Sequence, residues 1–551
     1  MREPEIFQLS VAAAFEGLTS KEQLYAHHTA SGFSLSNIGN YFGSGDQKFH
    51  PDVSPDDLEK LANGDPTTAE LSVKVRDALF RPLPDSLGVP SDTSQSTYYL
   101  GEGTLDNMDE ISAVSKLRKS VTAEGEISRR TYDILQASIG EDEATLQEPD
   151  DQSAHCTRIR LIRGDHKEEL KKINQSLSEA MKYAANCEQQ KLLSGIAESF
   201  ASGDLNAYRQ AQRVWVKDKA PKIETVFGFV EPSERTKVLR RLAEIASDII
   251  PQLPWAEGYE ESNRKGPFEK ELFDIPDFAS VQILAYCSSL VFPGINLPNY
   301  NDIRQEDGFK NIIFANRMIA ESQRARGIHM IHESERKVFQ EHRFTAYYIW
   351  VVLHEILGHG TSKLLQEDSQ GHFNFDREHP PLNPLTGKPI DSWYGPGETW
   401  TGVFTDLSTT VDECRAELAG AYLIDVAEIL QLFGCTVDSK IKPADVVYNL
   451  FQQLGVDGLR ALENYNPSTK KWGQAHSRAH FADMRSCREF YEDLTTVHEE
   501  ALGWREVVLM KKDPPLAFCH ANTFLQGDRV ILREYEPTVR GLIQSWAERD
   551  L

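Results

Sequence analysis

From residue 167 the apolar positions fall into helical stripes. Leu170, Ile173, Leu177 and Met181 lie on one stripe, and Leu192, Leu193, Ile196, Ala197 and Phe200 on another. The spacing predicts helix over 167–202, with Gly203 as its stop. A helix over 235–250 is predicted in the same way, closed by Pro251 and Pro254. Residues 341–360 are apolar around most of a helical surface, which predicts a buried helix. A further helix is predicted over 411–433, ending at Gly434. Turn-forming composition marks 31–49, 82–96, the acidic 140–155, and 369–400 as loops. The stretch 292–309, FPGINLPNYNDIRQEDGF, reads as too rich in Pro, Gly and Asn for a regular element. It suits a binding loop as well as a plain surface connector.

Composition narrows the function classes. Hydrophobic residues make up 40% and charged residues 26%, which is enough apolar mass for a large core. A length of 551 residues suits several domain-sized units or two large lobes. The net charge is −25 and no long Lys/Arg run interrupts it, which argues against a nucleic-acid binder. The longest apolar run, 344–353, is too short to cross a bilayer. No apolar core of a secretory signal follows the initial Met. The seven cysteines are widely spaced and form no CxxC pair. Neither a disulfide framework nor a cysteine-bound zinc module fits them, so a reducing cytosol is the expected location.

The chemistry concentrates in two short motifs. HEILGH, His354 to His359, lies inside the predicted buried helix. A hydrolytic zinc site needs imidazole ligands, an open coordination position and a carboxylate base. Two histidines at i and i+4 share a helical face; here the spacing is i and i+5. An ideal α-helix would splay them by about 140°. They share an ion only if one residue is looped out in a π-type turn, a distortion that Gly358 is expected to ease. The second motif is DECRAE, Asp412 to Glu417. Glu413 and Glu417 share a helical face, so one can be a third ligand while the other hydrogen-bonds a ligand histidine. With sixteen histidines in the chain, a lone pair at this spacing would carry little. An ionised Glu355 in an apolar helix, however, is costly without a role.

HEILGHG followed by DECRAE resembles the paired motifs of the dipeptidyl peptidase III family of zinc exopeptidases. SNIGNYFGSGDQKF (36–49), RVWVKDKAPKIETVFGFVEP (213–232), PGINLPNYNDIRQEDGFKN (293–311), FNFD (373–376), SWYGPGETW (392–400) and WGQAHSRAHF (472–481) match it as well. The resemblance implies one zinc per chain, held by His354, His359 and Glu413. It makes Glu355 the general base, Glu417 a residue behind the ligands, and His476 a stabiliser of the transition state. Glu231, Asn296 and Asn299 would hold the substrate's free amino terminus. The implied fold is α+β, with two lobes separated by a wide cleft. The mixed lobe, with a small β-barrel core, would comprise 1–233 with 280–325 and 515–551. The mostly helical, zinc-binding lobe would comprise 234–514 without 280–325. The implied activity is release of dipeptides from the amino end of short peptides by a cytoplasmic monomer, with neither nucleic acid nor membrane as a partner.

The chain departs from the family pattern in three internal blocks. Pro232 is followed directly by SERTKVLRRL, where the family carries a Tyr that assists at the scissile carbonyl. Extra helices are lacking between 28 and 36, and a long region is lacking after Met484. Pro515 stands where many members carry an Arg for the peptide's carboxyl end, and NPLTGKP (383–389) replaces a partner-binding loop. Two rival readings follow: a catalytically weak zinc-binding protein that acts through protein interaction, and a general zinc endopeptidase.

Overall fold

The apolar stripes of the 167–202 region form two helices, Lys167–Met181 and Cys187–Ser202, in a computed structural model of the chain. The first buries Leu170, Ile173 and Leu177. Asn186 separates the two by capping the second, its side chain accepting from the Gln189 N–H. Gly203 ends that helix in the left-handed conformation, at φ 76°. The structure describes residues 4–34, 99–100, 118–123, 129–147, 156–219, 221–225, 228–230, 234–253, 277–286, 291–298, 300–324, 328–359, 364–382, 388–398, 408–462, 465–466, 471–472, 499–510 and 516–548, with isolated positions at 66, 69, 70, 73 and 403.

The chain divides into two compact units. One contains 1–230, 281–291 and 515–551; the other contains 231–280 and 292–514. In the first, Glu5–Leu9 pairs in parallel with Leu516–His520, so the start of the chain is tied to its end. Glu534 reinforces this by accepting from the N–H groups of Val11 and Ala12. A five-stranded sheet in this unit has the order Tyr99–Leu100, Arg118–Ala123, Arg129–Ala137, Cys156–Asp165, Glu143–Gln147. Its outer strands do not pair with each other, so the expected barrel is not present among the described residues. The acidic stretch expected to be a loop supplies the strand Glu143–Gln147, because antiparallel pairing with Cys156–Asp165 satisfies its backbone.

The second unit is mostly helical. Its core joins Leu239, Leu242 and Ile249 to Ile349 through Leu353, Ile356, Leu357, Leu423, Ile429 and Leu450. The second half of the helix Arg336–Leu353, from Ala346 to Leu353, runs through this core, as its apolar run requires. The predicted 411–433 helix is instead two, Ser408–Leu423 and Ala427–Leu432. Val426 is extended at φ −64°, ψ 116°, at the end of Ile424, Asp425 and Val426, three residues of weak helix propensity. The break lets Leu423, Ile424, Ile429 and Leu430 all reach the core. Gly434 closes the second segment at φ 74°. The 292–309 stretch is also more regular than its composition suggests. Gly294–Leu297 is a strand paired antiparallel with Lys310–Phe314, and Asn301–Glu306 is a short helix. The ladder to Lys310–Phe314 supplies the order that local propensity does not.

Candidate metal centre

The buried helix Arg336–Leu353 does not end at His354; it widens. Residues His354–Gly358 form a π turn, and the His359 N–H donates to the His354 carbonyl at 3.0 Å. A bond from i+5 back to i stacks the two histidines one above the other. Their rings lie 4.8 Å apart, nearly perpendicular at 83°. Gly358 serves a different purpose from the one expected. Its backbone is not in the left-handed region, but a Cβ there would lie 2.5 Å from Ala416 Cα and 2.6 Å from its carbonyl oxygen. Gly420 approaches the His354 N–H and Trp350 in the same way. These small residues bring the helix Ser408–Leu423 against the π turn.

That approach delivers Glu413. Its Oε2 lies 3.3 Å from His354 Nε2 and its Oε1 3.8 Å from His359 Nε2. One ligand atom from each of His354, His359 and Glu413 lies within 4.8 Å of the others. Two imidazoles and a carboxylate are a donor set suited to a divalent transition metal, and three protein donors leave a fourth position open. Burial works against protonation of His354, but the hydrogen bond and charge of Glu413, with the charges of Glu355 and Glu417, lift it to about 9. Burial likewise opposes ionisation of Glu413, yet His354 and His359 bring it down to about 2.

Glu355 follows His354 and is buried. Burial raises its pKa, and its Oε2 has no hydrogen-bond partner. A Cβ on Gly294 would come within 2.9 Å of Glu355 Oε1, so the strand Gly294–Leu297 runs its backbone against this carboxylate. Two positions along that strand, on the same face, is Asn296. It is buried, and its Nδ2 donates to Asn311 Oδ1 on the paired strand. Asn296 Oδ1 and Asn311 Nδ2 are left without partners. Glu231, Asn299 and His476 lie outside the described residues.

The carboxylate that hydrogen-bonds a ligand histidine is one the spacing argument passed over. Asp412 Oδ2 lies 3.2 Å from His359 Nδ1. With Asp412 at Nδ1 and Glu413 towards Nε2, an ion bound at Nε2 would leave Nδ1 to donate to Asp412. Asp412 is held ionised well below the carboxylate range: burial opposes this, but His359, Arg415 and Arg304 outweigh it. The Asp412–Arg415 pair, three apart on one helix, was the available signal. Glu417 acts on His354 through its charge, and its own carboxyl is raised to about 7, chiefly by burial and also by Glu413 and Asp457.

Comparison with known proteins places this geometry. The sequence model of Peptidase family M49 matches residues 72–233, 232–487 and 481–550. Dipeptidyl peptidase 3 of Rattus norvegicus is 29% identical over 650 aligned positions, covering 98% of this chain and 85% of the relative. Dipeptidyl peptidase 3 of Dictyostelium discoideum is 29% identical over 690 positions, covering 100% and 97%. Both alignments are longer than this chain, so the relatives carry internal stretches that it lacks. The matched stretches meet at 232–233 and at 481–487, where the sequence departs from the family pattern. Among solved structures, DPP III from Caldithrix abyssi shares the fold with a TM-score of 0.52 at 13% identity, over 94% of this chain and 97% of that one. Among the described residues no helix is long and apolar enough to cross a membrane. The π turn, the group able to hold a metal and the matches along the whole chain converge on one statement: the chain belongs to peptidase family M49.

Proposed function

We propose that the chain is a zinc-dependent dipeptidyl peptidase that releases dipeptides from the free amino end of short peptides. The observation that carries this is the group His354, His359 and Glu413 beside a buried Glu355 with an unpartnered oxygen. A zinc ion held by the three supplies Lewis-acid polarisation of a carbonyl and lowers the pKa of water. Glu355 takes the proton of the attacking water and returns it to the leaving amine. His476 donates to the oxyanion as it develops. Asn296 and Asn299 offer amide oxygens, and Glu231 a carboxylate, to the substrate's ammonium group. Anchoring that group two residues before the scissile bond makes the enzyme count in dipeptides. The names of the relatives support this reading.

A second reading is favoured by the break of the family match at 232–233: a shortened member that binds zinc and turns over weakly. The test is hydrolysis of one short peptide, free or acetylated at its amino terminus, followed by chromatography of the products. The ammonium contact is worth about 1.5–3 kcal/mol, so acetylation should slow cleavage by roughly ten- to a hundred-fold. Dipeptides should be the first products. Equal rates on the two peptides would instead make the chain an endopeptidase. No hydrolysis by zinc-loaded protein would favour the weak, interaction-based reading.

A further inference from the structure

Arg304 has no part in the chemistry above, yet it touches the metal centre at two points. It comes from the short helix Asn301–Glu306, in the segment that also carries Asn296. Its side chain is only 15% exposed. Its Nη2 donates to the His359 carbonyl at 3.2 Å. Its Nη1 lies 3.6 Å from Asp412 Oδ2, the oxygen that faces His359 Nδ1. Arg415 completes the arrangement by donating to the Gly358 carbonyl and to Asp412 Oδ1.

Here two guanidinium groups cap the carbonyls of Gly358 and His359 and share one carboxylate between them. We propose that Arg304 is a positioning residue for the metal site. It holds Asp412 and the His359 carbonyl in one geometry, so that the His359 ring presents Nε2 to the ion. It thereby fastens the 292–309 segment to the second histidine. A lysine could not replace it, because a single ammonium does not reach both acceptors in the fixed geometry of a fork. The proposal rests on reading His354, His359 and Glu413 as a metal site.

The test is zinc affinity, measured on the full chain by competition with a chromogenic chelator. The proteins are wild type, Arg304→Ala, Arg304→Lys, Asp412→Asn and the double variant Arg304→Ala/Asp412→Asn, with melting curves of each zinc-free form. Outer partners of ligand histidines typically govern about ten- to a hundred-fold in affinity, and Arg304→Ala should fall in that range. Arg304→Lys should weaken zinc as well. In the Asp412→Asn background, loss of Arg304 should cost much less than in wild type. A merely structural Arg304 would cost the same in both backgrounds. Unchanged affinity in Arg304→Ala, or strict additivity in the double variant, overturns the proposal. If Arg304→Ala does not fold, Arg304→Lys decides, and unchanged affinity there overturns it. A wild type that binds no zinc would instead defeat the metal reading itself.

Discussion

His359 donates its backbone N–H to the carbonyl of His354, five residues earlier, and this one bond brings the two imidazoles together. An α-helical turn would have turned them to different faces. The wide turn is held by packing, because Gly358 lets Ala416 sit directly against it.

Substitution of Gly358 by Ala tests that packing. The added methyl meets backbone atoms of Ala416, which cannot swing aside as a flexible side chain would. Overpacking of this kind costs about 1–3 kcal/mol, and here it also pushes Glu413 away from the histidines. Gly358→Ala should therefore lower both the melting temperature and the zinc affinity. A variant that loses neither would show that the helices can separate without consequence.

Glu355 is not among the three ligands, so its replacement should separate binding from turnover. Glu355→Gln should keep the metal and lose about a hundred- to ten-thousand-fold in kcat, the usual range for a general base. Metal content and kcat measured on the same preparation check this. Loss of the metal would make Glu355 a ligand or a structural prop.

Much of this centre was legible in the sequence. The i, i+5 spacing of the histidines demanded a looped-out turn, and the buried helix around it followed from its apolar surface. Glu413 followed from the resemblance. Asp412 did not, because a spacing argument compares residues on one helical face and Asp412 neighbours Glu413 on another. Arg304 was out of reach for a different reason: it is 55 residues from the carbonyl it caps. The short helix that carries it lies in a segment whose composition reads as loop. The strands in 140–155 and 292–309 were missed because their order comes from pairing with distant partners, which local propensity does not record.

A pH effect is expected far from the metal. His27 Nδ1 lies 2.8 Å from Thr523 Oγ1, which ties the helix Ser20–Ser34 to the strand Asn522–Gln526. Burial and the neighbouring His28 lower its pKa to about 4. Unfolded, it would take a proton near 6.5. Between these values the unfolded chain binds more protons, so stability falls as pH drops from about 6.5 towards 4. Melting curves across that window should show a smaller loss for His27→Gln than for wild type. Parallel curves would mean that His27 is protonated without penalty.

The break after Pro232 has its own consequence. If a Tyr supplied there by the family donates to the scissile carbonyl, its loss costs about a hundred- to a thousand-fold in turnover. Inserting the family's segment after Pro232 should raise kcat per bound zinc by that order. Equal turnover with and without the segment would mark this chain as a compact, fully competent form.

The central claim is that His354, His359 and Glu413 hold one catalytic zinc. Elemental analysis of protein purified without chelator tests it most directly. The expected result is one zinc per chain in the wild type, none in His354→Ala or His359→Ala, and one retained in Glu355→Gln. A wild type free of transition metal, or a His359→Ala protein with its zinc intact, would contradict the account.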